Sequence, residues 1–148
     1  MNPEAFPNAR FLGEGRVRVD AGDLVEFVDA ARDAGYELFI DLAAVDHLHR
    51  RPDRFEVVIG LLNIAEKARL RISVAAVGEP PEVPSITGVF PGANFYEREA
   101  YDLFGLRFPG HPSLTRILLP DDWEGHPLRK DEPVGSVPIQ FKGADKAT

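Results

Sequence analysis

The side chains best suited to catalysis or metal binding are the four histidines and the carboxylates near them. His47 and His49 follow Asp46 at the end of a predicted strand, where alternate residues share a face, so their rings could converge on a metal ion. His111 and His126 each precede a proline and could form a site of two histidines and one carboxylate. The carboxylates near this second pair are Asp121, Asp122, Glu124 and Asp131.

Neither histidine pair has the local ligand spacing of a known zinc motif. A residue before proline is restricted to extended backbone, which explains the pattern at His111 and His126 without a metal. The simpler interpretation is a polar strand end and an extended tail. A stand-alone metal-dependent enzyme that uses His111 and His126 is the alternative.

Other catalytic patterns are missing from the sequence. There is no glycine-rich phosphate loop and no G-x-S-x-G nucleophile turn. There is no cysteine, which excludes a thiolate nucleophile and Cys-ligated zinc or iron–sulfur clusters in this chain. Glu97 and Glu99 stand two residues apart on a predicted helix and point in different directions, which is poor geometry for acid–base work on one substrate. We therefore expect no catalytic, cofactor-binding or metal-binding residue.

Length and charge narrow the class of protein. The chain has 148 residues, enough for one domain with a substantial core. Its net charge of −7 argues against nucleic-acid binding, which relies on basic surface. No window approaches the roughly 18 to 20 apolar residues of a membrane span, and Met1–Pro7 does not resemble a secretory signal. Any membrane association is expected to come through partners.

The first half of the chain predicts one helix among strands. Arg16–Val19 alternates as a short strand does. The next segment predicts a helix that starts at Asp20 and ends at Gly35. Its buried face is formed by Leu24, Phe27, Val28 and Ala31.

Three further strands are predicted at Tyr36–Val45, Arg54–Leu62 and Arg69–Val77. In the first of them, Leu38, Ile40 and Leu42 are expected on one side. The short connection Asn63–Ala68 favours an antiparallel hairpin. Together these elements predict an α+β fold over residues 1–105, a two-layer sandwich of a mostly antiparallel sheet and helices.

The end of the chain has a different character. Ala93–Phe104 predicts a second helix, ended by Gly105, with Arg98 and Asp102 four residues apart and able to pair. Its inward side chains are expected to be Tyr96, Ala100, Leu103 and Phe104. Residues 106–148 are rich in proline, glycine and charge, and they contain the apolar run Ile117–Leu119 and Trp123. We interpret them as an extended partner-docking segment and tail, because aromatic and arginine side chains are enriched at interfaces.

One block of sequence resembles a known family. The block comprises Asn94–Gly105, Gly110–Pro112 and Arg116–Asp131, preceded in order by Arg54–Val58 and Val83–Thr87. It is similar to the signature of the 30-kilodalton subunit family, the C subunit of NADH:quinone oxidoreductase (respiratory complex I). The similarity spans Tyr36 to Pro133.

The resemblance implies a non-catalytic scaffold in the peripheral arm of a proton-translocating enzyme, on the cytoplasmic side of the bacterial cell membrane. The implied partners are the quinone-pocket subunit and the terminal iron–sulfur subunit; iron–sulfur clusters and FMN would lie on other subunits. A homologous module of a membrane-bound hydrogenase or of a ferredoxin-driven quinone reductase is the alternative within this class. The residues expected at the partner interface are Glu97, Arg98, Glu99, Asp102, His111, Arg116, Trp123, Arg129 and Lys130.

Overall fold

The computed structural model describes residues 6–132. These residues form a five-stranded sheet, two α-helices and a long irregular C-terminal segment. The strands are β1 (Arg10–Gly13), β2 (Arg16–Val19), β3 (Leu38–Asp46), β4 (Phe55–Asn63) and β5 (Ala68–Ala75). The helices are α1 (Leu24–Asp33), preceded by a 3₁₀ turn at Ala21–Asp23, and α2 (Ala93–Phe104).

The sheet has the strand order β1-β2-β5-β4-β3. Only β2 and β5 run parallel, and every other neighbouring pair of the described strands is antiparallel. The predicted hairpin between β4 and β5 is confirmed, with Asn63 paired to Ala68 at its closed end. The predicted mostly antiparallel α+β fold is therefore confirmed.

Both helices pack on one face of this sheet. The predicted apolar stripe of α1 is confirmed, because Leu24, Phe27, Val28 and Ala31 are all buried. Helix α2 lies beside β3, where the rings of Tyr96 and Phe39 meet edge to face with centroids 5.4 Å apart. The core residues of the sheet are Val17, Val19, Leu42, Val57, Ile59, Leu61, Leu70, Ile72 and Val74.

The prediction that Leu38, Ile40 and Leu42 share one side of β3 is wrong. A β-bulge between Phe39 and Asp41 places three residues of β3 opposite two of β4. A bulge inverts the alternation of side chains along a strand. Leu42 is consequently buried, whereas Leu38 and Ile40 are both 43% exposed.

The chain between β5 and α2 and the first residues after α2 complete the same core. Backbone hydrogen bonds join Val83 N to Arg107 O at 3.0 Å and Ser85 N to Pro109 O at 2.9 Å. Leu106 and Phe108 are buried. The hydrophobic core thus continues past α2 as far as Phe108, beyond the boundary after residue 105 that the sequence suggested.

Candidate partner interface

Asp102 fastens the C-terminal segment to α2. Its side chain is fully buried, and its Oδ2 accepts hydrogen bonds from the backbone N–H groups of Ile117, Leu118 and Leu119 at 3.1, 2.8 and 2.9 Å. Its Oδ1 accepts one from Arg116 Nη1 at 3.0 Å. Burial pushes the pKa of Asp102 upward, but the three N–H donors and the arginine outweigh it and hold the pKa below its usual value.

Cationic side chains hold the same segment through backbone carbonyl groups. Arg98 donates from Nε to Thr115 O and from Nη2 to Arg116 O, both at 3.0 Å. Arg116 also donates to Trp123 O at 3.0 Å, and Arg129 Nε donates to Phe104 O at 2.7 Å. These bonds satisfy backbone carbonyls of the irregular segment and one at the end of α2, which have no partner in a helix or strand.

Two histidines complete this fastening. Ser113 N donates to His111 Nδ1 at 3.0 Å, and the other ring nitrogen of His111 lies 3.3 Å from Asn94 O. His126 Nδ1 lies 3.1 Å from Asp102 O.

Gly105 ends α2 as predicted, with φ +71°. A β-carbon there would lie 2.7 Å from Arg129 Nη2 and 2.5 Å from His126 Nε2. Glycine at this position therefore lets the segment approach the helix end closely.

Asp46 is a second anchor, at the far end of β3. Its side chain is fully buried, and it accepts hydrogen bonds from Arg54 Nη2 at 2.9 Å, Leu48 N at 2.7 Å and Lys130 N at 2.8 Å. Arg54 also donates to Asp131 at 2.9 Å, so it bridges the sheet and the segment. Burial raises the pKa of Asp46, but the hydrogen bonds from Arg54, Lys130 and Leu48 bring it down to about 2.

Glu97 is buried without such support. It has no exposed surface, and its Oε1 accepts a hydrogen bond from Ile86 N at 2.8 Å. Within residues 6–132, Oε2 of this carboxylate has no hydrogen-bond partner. Burial raises the pKa of Glu97 to about 7, because a charged carboxylate is disfavoured in an apolar surrounding.

Several sequence expectations for α2 need correction. Glu97 and Asp102 do not present their charges outward, because both side chains are buried. Arg98 does not pair with Asp102, whose carboxylate is occupied by Arg116 and the three N–H groups. On the inward side, Ala100 is buried as expected, but Tyr96 is 36% exposed. Leu103 and Phe104 are half-buried.

The other predicted interface residues divide into two groups. Arg98, His111, Arg116 and Arg129 use part of their side chains to contact backbone carbonyls of the segment or of α2. Glu99 and Lys130 are exposed, and Trp123 is half-buried. Their contact with a partner stays a prediction.

Exposed apolar side chains accompany these groups. Phe95 on α2 and Leu118 on the segment are each 61% exposed, and Leu128 is 49% exposed. A cleft of about 310 Å³ lies between β3 and α2, and Tyr96, Glu99 and Leu128 are among its lining residues. We call Phe95, Tyr96, Glu99, Leu118 and Leu128 the helix-side surface.

The residues considered for a metal site are not brought together. Among residues 6–132, no three His, Asp or Glu side chains are arranged to hold a metal ion. His111 and His126 contact different backbone carbonyls, and His47 Nε2 instead lies 2.8 Å from Glu56 Oε2. No helix in the described part of the chain is long and apolar enough to cross a membrane.

The sequence analysis did not predict the ion pair between Asp46 and Arg54. The two residues lie eight apart at the facing ends of neighbouring strands. That placement could have suggested a cross-strand ion pair. The link to Asp131 spans 77 residues and has no local signal.

Known proteins resemble this chain in sequence and in fold. The model of the family described as "Respiratory-chain NADH dehydrogenase, 30 Kd subunit" matches residues 17–137. The chain belongs to this family. The match covers both helices, the fastened segment and all of the sheet except β1 and the first residue of β2.

Relatives of the 30-kilodalton subunit family are similar over most of this chain. A protein of Roseiflexus sp. (strain RS-1), named as the C subunit of NADH-quinone oxidoreductase, is 44% identical over 93% of this chain and 83% of its own length. A protein of the same name from Salinispora arenicola is 42% identical over 96% of this chain. The chain spans only 62% of that relative's length.

Solved structures agree with the fold. A trypsin-resistant fragment of Nqo5 is 30% identical, with a TM-score of 0.65 over 76% of this chain and 92% of the fragment. A chain in a membrane-bound sulfane sulfur reductase, an archaeal respiratory membrane complex, has a TM-score of 0.76 over 98% of this chain and 93% of its own. Its identity is 22%, so this likeness concerns the fold alone.

Proposed function

We propose that this chain is a non-catalytic structural subunit of a proton-translocating NADH:quinone oxidoreductase. It docks on the subunit that forms the quinone pocket and lies near the subunit with the terminal iron–sulfur cluster. It holds these neighbours in position on the cytoplasmic side of the membrane, to which it is attached only through them. The flavin and the iron–sulfur clusters belong to other subunits.

The observation that carries this proposal is the way the C-terminal segment is fastened. Residues 114–132 contain no helix or strand, yet Asp102, Asp46 and Arg98 of the domain bind their backbone. In return, Arg116 and Arg129 of the segment bind the Asp102 carboxylate and Phe104 O on α2. A segment fixed in advance loses less conformational entropy on binding than a free one. The fastening thus supports a role in rigid docking, with Leu118 and Leu128 held outward.

A rigid scaffold matters to electron transfer because tunnelling rates fall steeply with the distance between redox centres. A loosened interface would lower the rate of quinone reduction without removing a catalytic group. This distinguishes the proposed role from that of an enzyme subunit with its own active site.

The test is affinity purification of the tagged chain from its native membranes in mild detergent, followed by mass spectrometry. Leu118→Glu places a charge on the helix-side surface and should reduce recovery of the quinone-pocket subunit about tenfold. Val25→Glu is the matched control: Val25 is 41% exposed, but on the outer side of α1.

Three results would count against the proposal. If the wild-type chain is recovered alone, it is not a subunit of such a complex. If both variants recover partners equally well, the helix-side surface does not dock. If the complex contains no NADH-oxidising subunit, the electron donor is another one, as in the hydrogenase or ferredoxin-driven alternatives.

A further inference from the structure

The face of the sheet that the helices leave uncovered carries a cluster of arginines. Register places Arg10 beside Arg18, Arg16 beside Arg71, and Arg69 beside Leu62. The arginines of β2 and β5 alternate with buried core residues such as Val17, Leu70 and Ile72, so they lie on the opposite, open face. Within a chain of net charge −7, this face gathers five of the basic residues.

Two of these cross-strand pairs bring like charges together. Arg16 is directly opposite Arg71, and Arg10 is directly opposite Arg18. Like charges in directly opposed positions destabilise a sheet. The isolated domain gains nothing from this arrangement, and such local conflicts concentrate at functional surfaces.

The acidic residues near the open face neutralise it only in part. Glu14 lies 3.4 Å from Arg16, and Asp53 lies 2.7 Å from Arg18. Asp41 lies over Gly60, and the carboxylate of Glu56 is taken by His47 and Arg51.

Two arginines on β5 keep their full charge available. Within residues 6–132, neither Arg69 nor Arg71 forms an ion pair, and both are exposed. Together with Arg16 they line an open cleft of about 340 Å³. The open face therefore offers two unpaired guanidinium groups, those of Arg69 and Arg71, around a recess that Glu14 and Asp41 also line.

Around Val58 and Leu62 the open face is small and apolar. Register places Val58 between Ser73 and Ala43, and Leu62 between Arg69 and Leu38. Leu38 is 43% exposed. Strands about 4.8 Å apart with a rise of about 3.3 Å per residue give this sheet a face of about 500 Å², a large part of the roughly 800 Å² that each partner contributes to a stable interface.

We propose that this open face is a second docking surface, which binds a carboxylate-rich surface of another protein subunit. Partner carboxylates would pair with Arg16, Arg69 and Arg71, and apolar side chains would cover Val58 and Leu62. Arginine suits this role because its planar guanidinium binds carboxylates with two parallel hydrogen bonds. The proposal rests on the proposed function as a complex subunit, but it concerns a different surface from the helix-side surface.

Reversing the charge of Arg71 tests docking without an expected loss of stability. Arg71→Glu converts the repulsion with Arg16 into attraction, so the melting temperature of the isolated chain should stay within about 2 °C of wild type or rise. Recovery of one partner subunit with the tagged chain from native membranes should nevertheless fall about tenfold. Arg32→Glu is the control with the same charge change; it removes the 2.6 Å pair with Asp29 on α1 and should leave recovery unchanged.

A second variant identifies the partner atoms. Arg71→Lys keeps the positive charge and supplies an amine that a carbodiimide couples to a touching carboxylate. In the purified complex, mass spectrometry should find residue 71 joined to an Asp or Glu of another subunit. Arg32→Lys, on α1, should give no coupling between subunits.

The outcomes distinguish this proposal from the proposed function. Full recovery of every subunit with Arg71→Glu, together with no coupling between subunits at residue 71, overturns the open-face proposal while leaving the complex intact. Failure of the wild-type chain to recover any subunit overturns the proposed function instead. Binding of the isolated chain to anionic phospholipid vesicles, lost in Arg71→Glu but not in Arg32→Glu, would overturn the open-face proposal in favour of a membrane surface.

Discussion

Glu97 and Asp102 show at the scale of single residues how neighbours decide the charge of a buried carboxylate. Both lie on α2, and both are at most 1% exposed. Asp102 receives three backbone N–H bonds and an arginine, and its pKa falls. Glu97 receives one N–H bond, and burial raises its pKa to about 7. The same burial therefore leaves one side chain ionised and the other half-protonated near neutral pH.

Glu97→Gln should remove a pH dependence of stability. The pKa of Glu97 is about 7 in the folded chain and 4.5 as an isolated group, so folding favours the protonated form. Its contribution is full below pH 4.5 and is lost as pH rises through 7, a change of about 3 kcal/mol. Urea unfolding of both proteins from pH 4.5 to 8 should give a difference in unfolding free energy that shifts in favour of the variant as pH rises. A difference that does not vary with pH would contradict the assignment.

Asp102→Asn should loosen the C-terminal segment. The amide keeps one acceptor oxygen but turns an N–H₂ group toward backbone donors, and it leaves Arg116 without its 3.0 Å partner. We expect the unfolding free energy to fall by about 3 kcal/mol and proteolysis to accelerate within the segment after Phe108. Glu99→Gln lies on the same helix, and within residues 6–132 the Glu99 side chain makes no hydrogen bond to the segment, so this change should stay within about 0.5 kcal/mol of wild type. Equal effects of the two changes would mean that the contacts of Asp102 do not fasten the segment.

At the scale of elements, periodicity predicted the helices and strands well because each buries one face. The stripe of α1 and the hairpin of β4 and β5 follow from spacing within the element. The bulge at Phe39–Asp41 has no such signal, since one extra residue in a run of apolar side chains leaves the composition unchanged. The inward turn of Asp102 escaped prediction for a related reason: its donors come from residues 14 to 17 positions later in an irregular segment.

Arg54→Ala should show how strongly the ends of β3 and β4 are joined to the segment. It leaves the buried Asp46 without its arginine and removes the guanidinium 4.6 Å from the centre of the Phe55 ring. We expect a loss of about 3 kcal/mol in the unfolding free energy.

Asp131→Asn removes the ion pair between Arg54 and Asp131 and serves as the comparison. The Asp131 side chain is 52% exposed, so this change should cost less than about 1 kcal/mol. Chemical denaturation of the two variants measures both values. If Asp131→Asn proved the more damaging change, the bridge to the segment rather than the burial of Asp46 would dominate.

At the scale of the whole molecule, the sequence predicts the domain and its C-terminal segment but not how the two are joined. Residues such as Arg98 and Arg116 look like exposed interface groups in the sequence, because charge and spacing carry no information about which carbonyls they meet. The structure uses these side chains first to hold the segment. On the side of α2, fewer charged groups therefore remain exposed than the predicted residues implied.

The two carboxylates that hold the segment predict that acid releases it before the domain unfolds. Asp46 and Asp102 both bind backbone N–H groups of the segment, and the pKa of each is lowered. A carboxylate whose pKa is lower in the folded state stabilises the protein above its unfolded pKa of about 4, and that contribution is lost as pH falls toward the folded value, about 2 for Asp46. The stability of the apolar core between α1 and the sheet has no such dependence on pH. The domain should therefore stay folded at a pH low enough to release the segment.

Trp123 makes the two events separable. It is the single tryptophan of the chain and lies in the segment, so its fluorescence reports on the segment, whereas far-ultraviolet circular dichroism reports on the helices and sheet. On titration from about pH 5 to about pH 2, we expect the emission of Trp123 to shift to longer wavelength at a higher pH than the loss of the dichroism signal. Asp102→Asn should move the fluorescence change toward neutral pH, and Glu99→Gln should not. Coincident transitions in the wild-type chain would instead show that segment and domain unfold as one cooperative unit.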